Sequence, residues 1–164
     1  MKRLTTWLVL MLAVTVLYGQ EQPAPSKKGG AATNAPRAEV QWYTDFEQAR
    51  EVAAKKKVPV LLFFTGSDWC PWCMKLEAEV LSQEAFKRFA ARELVLFKAD
   101  FPRRQPVAPA LRKQNEDLAR RYGVDGFPTI VLINPVGGVI AQTGYRPGGA
   151  ESYVEYLRAL LRGE

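Results

Sequence analysis

The stretch Trp69-Cys70-Pro71-Trp72-Cys73 contains both cysteines of this 164-residue chain. The segment before it, Val58 to Phe64, is short, β-branched and aromatic, which predicts a strand buried on both faces. The segment after it, Met74 to Leu81, changes to helical spacing. The two cysteines therefore lie where a buried strand leads into the first turn of a helix. A helix start supplies unpaired N–H groups and a partial positive charge, which favour a thiolate.

Three other interpretations of the cysteine pair compete with a redox role. A structural zinc site needs four ligands, whereas this chain has two cysteines and no histidine. A purely structural disulfide would close so short a loop that it would constrain the unfolded chain little. Two inert buried thiols are also conceivable, although a helix start flanked by tryptophan and proline is a reactive setting. The residues favour a redox-active pair, and we expect no metal site.

A second motif, Gly126-Phe127-Pro128-Thr129, lies well downstream. Together with the cysteine segment it resembles the thioredoxin superfamily, and most of all the exported thioredoxin-like proteins with a Ser-Asp-Trp-Cys-x-x-Cys segment, here Ser67 to Cys73. The resemblance covers the chain from Trp42 to the C-terminus. It implies that Pro128 follows a cis peptide bond beside the active disulfide, and that Phe127 helps to hold the substrate backbone.

The predicted elements alternate as this resemblance requires. A Thr44-Asp45-Phe46-Glu47 capping box starts the first helix, and Ser82 is expected to cap a later one. In chain order we predict a helix to residue 57, strand 58–64, a helix to residue 81, helix 83–92, strand 94–97, a helix ending near residue 122, strands 129–133 and 139–143, and helix 150–162. The implied fold class is α/β: a thioredoxin-like three-layer sandwich, with a mixed central sheet and helices on both faces.

The N-terminal residues have the pattern of a targeting segment. Two basic residues precede a charge-free apolar stretch from Leu4 to Tyr18, whose length suits a signal peptide better than a membrane span. The cleavage site is imperfect because Leu17 stands where a small residue is preferred, so an uncleaved anchor remains open. We assign residues 1–19 to a signal peptide or N-terminal anchor, residues 20–40 to a flexible linker, and residues 41–164 to one thioredoxin-like domain.

The charge balance argues against nucleic-acid binding. The chain carries a formal net charge of +6 at pH 7, which on a small exported domain implies mild affinity for anionic surfaces. Its basic runs, Lys55-Lys56-Lys57 and Arg103-Arg104, are short and stand near predicted element ends, where solvated side chains are expected. Nucleic-acid binding would need a concentrated basic stripe, so we predict no nucleic-acid partner.

Roles in thiol–disulfide exchange follow from position along the predicted helix. Cys70, at its exposed start, is the expected attacking thiol, and Cys73, one turn deeper, is the expected resolving thiol. Pro71 suits the first helical turn because its missing N–H costs nothing there. Trp69 and Trp72 flank the sulfur atoms and could form an apolar platform for a protein substrate. Core packing of Trp72 is an equal alternative.

One departure from thioredoxin concerns proton transfer. Thioredoxin carries a buried acid on the strand before its cysteines, and the matching position here is Phe63 or Phe64. Glu77, one helical turn after Cys73, is a candidate proton acceptor in its place. Asp68 is a second candidate. For both carboxylates, a solvated or capping role is the alternative.

The sequence thus predicts a cell-envelope or periplasmic thiol–disulfide oxidoreductase, either free or tethered by an uncleaved leader. Its redox group is the Cys70-Cys73 disulfide, and no other cofactor is expected. Its predicted partners are protein thiols and disulfides and a membrane thiol-electron donor, and we expect a monomer. With Trp72 between the cysteines and no histidine anywhere, we expect the reducing or isomerising direction. The alternative is a thioredoxin-like binding or scaffold module whose disulfide is vestigial or structural.

Overall fold

The computed structural model describes residues 39–164. Its strands are Trp42–Tyr43 (β1), Val60–Thr65 (β2), Val95–Asp100 (β3), Thr129–Ile133 (β4) and Val139–Thr143 (β5). Its helices are Phe46–Lys56 (α1), Pro71–Leu76 (α2), Glu84–Glu93 (α3), Pro109–Arg121 (α4) and Gly149–Arg162 (α5), and a π-helical turn, Glu77–Leu81, directly follows α2. The predicted leader, residues 1–19, and most of the predicted linker, residues 20–40, lie outside the described residues. Within residues 39–164, no helix has the length and apolar character needed to cross a membrane.

The strands of the described chain form one mixed sheet in the order β1-β3-β2-β4-β5. β2 lies at its centre, parallel to β3 and antiparallel to β4, while β1 and β5 form the edges. All residues of β2 are buried, as an apolar run covered on both faces predicts. Because the cysteine segment follows β2, this central strand determines where the segment leaves the sheet.

Helices cover both faces of the sheet. On one face, α1 and α4 pack on a cluster that includes Leu62, Phe64 and Phe97. On the other face, α2, the π-helical turn, α3 and α5 pack on a cluster that includes Phe63 and both cysteines. Alternation along β2 therefore decides which of its side chains share a layer with the cysteines. The predicted α/β sandwich with a mixed sheet is confirmed.

The start of the domain differs from the predicted elements in two respects. The sequence pattern does not predict β1, because two residues are too short to show a period; pairing with β3 holds this strand in place. The N-cap of α1 is Asp45 and not Thr44. The Asp45 carboxylate accepts a hydrogen bond from the Gln48 N–H at 2.8 Å, so the cap is displaced by one residue from the predicted capping box.

The prediction that Ser82 caps α3 is also wrong. Its hydroxyl donates to the Ala78 carbonyl at 3.2 Å, within the π-helical turn. Gln83 is the N-cap residue of α3, and its side chain makes no capping bond there. Ser82 therefore satisfies a carbonyl group at the end of one helical segment and leaves the next segment without a side-chain cap.

Helical spacing in the last helix predicts that Tyr153, Tyr156, Leu157 and Leu160 face the core, and the structure confirms this in part. Tyr153 and Leu157 are fully buried, whereas Tyr156 and Leu160 are only half-buried. Val154 takes a buried position that the sequence analysis does not assign. The buried face of α5 is therefore rotated towards Val154, because the helix packs against α3 and the π-helical turn as well as the sheet.

Trp69 holds the loop between β2 and α2. Its indole ring lies so close to Gly66 that a Cβ atom there would overlap the ring. The indole Nε1 donates to the Phe101 carbonyl at 2.8 Å, and the Gly66 carbonyl accepts from the Cys70 N–H at 2.9 Å. The missing side chain of Gly66 thus allows the ring to pack where it positions the start of α2.

We predict that Gly66→Ala destabilises the oxidised protein by roughly 1–3 kcal/mol, the usual cost of overpacking. The indole cannot simply move away, because its hydrogen bond to Phe101 would be lost. Urea unfolding of the oxidised protein measures the effect. Gly126→Ala is the matched control, since a Cβ atom there meets open space, and it should be neutral or slightly stabilising. Equal destabilisation by both substitutions would contradict the prediction.

Candidate active site

Cys70 and Cys73 form a disulfide at the start of α2. Cys70 is the N-cap residue, and its sulfur accepts a hydrogen bond from the Cys73 N–H at 3.2 Å. Cys70 is only 4% exposed and Cys73 is fully buried. The prediction of an exposed Cys70 is therefore wrong for the disulfide state, because Trp69 and Phe127 pack against the cluster that contains it. Cys73 is the deeper cysteine, as predicted.

The two sequence motifs meet at an aromatic contact. The ring of Phe127 packs edge-on against Trp69, with centroids 5.8 Å apart, and also contacts Phe101 at 5.1 Å. The Phe127-Pro128 peptide bond is cis, as predicted. The Thr129 hydroxyl closes this loop by donating to the Gly126 carbonyl at 2.8 Å. The structure therefore brings the predicted substrate-binding residues Trp69 and Phe127 together, with Pro128 next in the chain.

Trp72 lies on the surface and not in the core. It is 55% exposed, and its ring contacts Tyr145 at a centroid distance of 5.4 Å. The Lys75 ammonium lies 5.3 Å from the centroid of each ring. The Tyr145 hydroxyl donates to Glu79 at 2.7 Å, and this bond is the main reason that the pKa of Tyr145 is raised. Of the two interpretations of Trp72, the exposed platform agrees with the structure.

Phe63 is the β2 residue that lies where the buried acid of thioredoxin is expected. It is fully buried in the cluster that contains both cysteines, whereas Phe64 belongs to the cluster on the opposite face. The Lys98 ammonium lies 5.9 Å from the Phe63 ring centroid and forms an ion pair with Glu77 at 3.2 Å. The Glu77 side chain is 46% exposed. Glu77 therefore lies at the rim of the layer that contains the cysteines.

Asp68 has a structural role in the neighbouring loop. Its carboxylate accepts hydrogen bonds from the N–H groups of Arg103 at 3.0 Å and Arg104 at 2.7 Å. The Arg103 N–H lowers the pKa of Asp68, and the Arg104 N–H adds to this effect. The carboxylate is thus held ionised by two backbone donors. This geometry agrees with the capping alternative for Asp68.

Sequence reasoning misses three side chains at the site: Lys98, Arg103 and Tyr145. The Arg103 guanidinium lies 3.6 Å from the Trp69 ring centroid. Each of these residues is far along the chain from the residue it contacts, so no local pattern reveals it. Within residues 39–164, no three histidine, cysteine, aspartate or glutamate side chains come together as metal ligands would. The described site is therefore built from two sulfur atoms, aromatic rings and flanking charges.

Comparison with known proteins identifies the family. The model of the thioredoxin-like domain family matches residues 46–160. Disulfide bond reductase DsbH of Chlamydia pneumoniae is 37% identical over 125 residues, which cover 76% of this chain and 75% of that protein. Thioredoxin-related protein DsbJ of the same organism is 25% identical over 139 residues, which cover 80% of this chain and 40% of that protein. The solved structure of a DsbH oxidoreductase matches with a TM-score of 0.76 at 34% identity, over 83% of this chain and 95% of that chain.

The matched region and the geometry agree with each other. Residues 46–160 include both the disulfide of Cys70 and Cys73 and the Phe127-Pro128 segment that lies beside Trp69. The disulfide stands at a helix start, which is where a reactive pair is favoured electrostatically. The chain therefore belongs to the thioredoxin-like domain family, and it is a thiol–disulfide oxidoreductase.

Proposed function

We propose that this protein reduces disulfide bonds of polypeptides in the cell envelope, with Cys70 as the attacking thiol and Cys73 as the resolving thiol. The observation that carries the proposal is the disulfide itself, with the Cys70 sulfur at the N-cap and Cys73 one turn deeper. The exposed Trp72 beside it offers an apolar surface for a polypeptide substrate. The export leader predicted from the sequence supports the envelope location.

The reaction transfers two electrons from the dithiol to the substrate. The Cys70 thiolate attacks one sulfur of the substrate disulfide, the substrate S–S bond breaks, and the first substrate thiolate leaves. The Cys73 thiolate then attacks the Cys70 sulfur, forms the internal disulfide and releases the second substrate thiol. A further dithiol must return the protein to its reduced form. A membrane thiol-electron donor would supply these electrons, and the protein would act as a monomer.

The reducing direction is supported by the few interactions available to a Cys70 thiolate. Among residues 39–164 its sulfur has one backbone donor, the Cys73 N–H, and the chain contains no histidine. Strong oxidants of this superfamily owe their potential to a reduced form that is well stabilised. The relative DsbH is named a disulfide bond reductase, which agrees with this direction.

Glu77 is our proposed proton acceptor for Cys73. It follows Cys73 by one helical turn, and its N–H donates to the Cys73 carbonyl. Its carboxylate is paired with Lys98, whose ammonium lies 5.9 Å from the ring centroid of Phe63, a member of the cluster that contains Cys73. A carboxylate in this position can take the Cys73 proton as the mixed disulfide is resolved. Lys98 would act as a positioning residue through Glu77.

We predict that the wild-type protein accelerates insulin reduction by a dithiol, because its own dithiol reacts with insulin disulfides faster than the small reductant does. Cys70→Ser should abolish this activity. Cys73→Ser should instead accumulate a mixed disulfide with the substrate, since nothing resolves it. Turbidity and non-reducing mass spectrometry give the two readouts. Accumulation in Cys70→Ser but not in Cys73→Ser would reverse the assigned roles, and no acceleration by the wild type would refute the proposed activity.

We predict a reduction potential closer to the value of about −270 mV for thioredoxin than to the value of about −120 mV for strong oxidants. Trp72→His should raise this potential, because a cation between the cysteines stabilises the thiolate. Each 1.4 kcal/mol of added thiolate stabilisation would raise the potential by roughly 30 mV. Equilibration with glutathione, followed by mass spectrometry of the two redox forms, measures both values. A wild-type potential near that of the strong oxidants would refute the proposed direction.

We predict that Glu77→Gln slows the resolution step by roughly ten- to a hundredfold at neutral pH, because the Cys73 proton loses its acceptor. The difference should shrink as the pH rises and Cys73 ionises unaided. Stopped-flow decay of the mixed disulfide across a pH series measures it. Glu93→Gln is the matched control, since it also removes a half-exposed carboxylate paired with a cation, Arg158, away from the site. An unchanged pH profile for Glu77→Gln would remove Glu77 from the mechanism.

A further inference from the structure

Arg103 is stacked on the tryptophan that precedes the reactive cysteine. Its guanidinium lies 3.6 Å from the Trp69 ring centroid, which is the shortest cation–ring distance within residues 39–164. A planar guanidinium stacks well on an aromatic face while its edge remains open to hydrogen-bond acceptors. Arg103 itself is exposed. The charge therefore lies at the surface, on the ring of the residue that precedes Cys70.

The backbone of Arg103 is held in place by hydrogen bonds between the loop after β2 and the loop after β3. Its N–H donates to the Asp68 carboxylate at 3.0 Å, and the Arg104 N–H donates to the same carboxylate at 2.7 Å. The Trp69 indole donates to the Phe101 carbonyl at 2.8 Å. These bonds join the loop after β3 to the loop after β2. The guanidinium is thus preorganised, so less conformational entropy is lost when it binds a ligand.

The charge of Arg103 is available to a partner molecule. In the described part of the chain, its guanidinium contacts the Trp69 ring and forms no salt bridge. Lys75, in helix α2 after the disulfide, already lies 3.8 Å from Glu79. The Asp68 carboxylate is occupied by two N–H groups. Within residues 39–164, the Arg103 guanidinium therefore keeps N–H donors that a bound carboxylate could use.

Trp69 connects this cation to the region where a substrate is expected. One face of its ring meets Arg103, and the ring also makes a T-shaped contact with Phe127. An extended peptide rises about 3.3 Å per residue, so a side chain one or two residues from the substrate cysteine spans the width of one indole ring. A substrate held along Phe127, with its cysteine at Cys70, would present such a side chain to Arg103.

We propose that Arg103 determines substrate specificity, and that it favours polypeptides with an aspartate or glutamate within about two residues of the reacting cysteine. This inference rests on the proposed disulfide reduction at Cys70. The guanidinium would donate two parallel N–H···O bonds to the substrate carboxylate. An exposed pair of this kind is weak and sensitive to salt, so it changes relative rates and not the chemistry.

The test uses three peptides that differ only at the residues flanking one cysteine: glutamate, glutamine or lysine. Each cysteine is capped as a disulfide with 2-mercaptoethanol, which is uncharged. The reduced protein is mixed with each peptide, and released peptide thiol is quantified by chromatography after acid quenching. The wild type should react with the glutamate peptide about three- to fivefold faster than with the glutamine peptide at low ionic strength. The ratio should approach one at about 0.5 M salt.

Two variants assign the preference to Arg103. Arg103→Gln should bring the glutamate-to-glutamine rate ratio close to one at low salt. Arg92→Gln removes the same charge from the exposed end of α3 and should retain the wild-type ratio. Equal ratios for the two variants would overturn the inference, as would a wild type that reacts equally with all three peptides. If Arg103→Gln fails to fold, Arg103→Lys takes its place and should lower the glutamate-to-glutamine ratio, because an ammonium lacks the planar pair of N–H donors; an unchanged ratio would overturn the inference. No reaction with any peptide would refute the proposed function itself.

Discussion

The position of the disulfide depends on how the Trp69 indole is held. After β2 the chain has four residues in which to begin a helix with Cys70 as its N-cap. The indole covers Gly66, donates to the Phe101 carbonyl and makes a T-shaped contact with Phe127. Because Phe101 follows β3 and Phe127 precedes β4, one side chain joins the loops of three strands. The geometry of the cysteines is therefore set by tertiary contacts, and the short loop alone would not determine it.

Two aspartates strengthen this arrangement from opposite sides. Asp68, after β2, accepts from the N–H groups of the loop after β3. Asp100, at the end of β3, accepts from the N–H of Ser67 at 3.0 Å and from its hydroxyl at 2.6 Å. Each carboxylate thus accepts hydrogen bonds from the loop that follows the other strand. Charge-assisted hydrogen bonds of this kind are stronger than neutral ones. The carboxylates of Asp68 and Asp100 are thus used to join the two loops, whereas the Arg103 guanidinium lies on the exposed side of Trp69.

The sequence determines the local features of this protein better than its long-range contacts. The buried strand β2 and the cysteines at a helix start could be predicted, because apolar periodicity and helix-start chemistry are local signals. The exposure of Cys70 could not, because rings from distant loops cover it. Arg103 appeared only as part of a basic run, and its contact with Trp69 spans two separate strands. The contact of Tyr145 with Trp72 likewise could not be predicted, because the two residues are far apart in the sequence.

Phe63 places an apolar side chain in the layer of the cysteines, where thioredoxin has a buried acid. A buried carboxylate at this position would lose its hydration, and that cost is recovered only with a well-placed partner. A phenylalanine instead adds apolar area to the cluster that contains both cysteines. The charged groups Glu77 and Lys98 then lie at the rim, where they retain contact with water and are paired at 3.2 Å. Charges at the rim avoid the desolvation cost that a buried carboxylate would have. They are also more sensitive to salt and to a bound substrate.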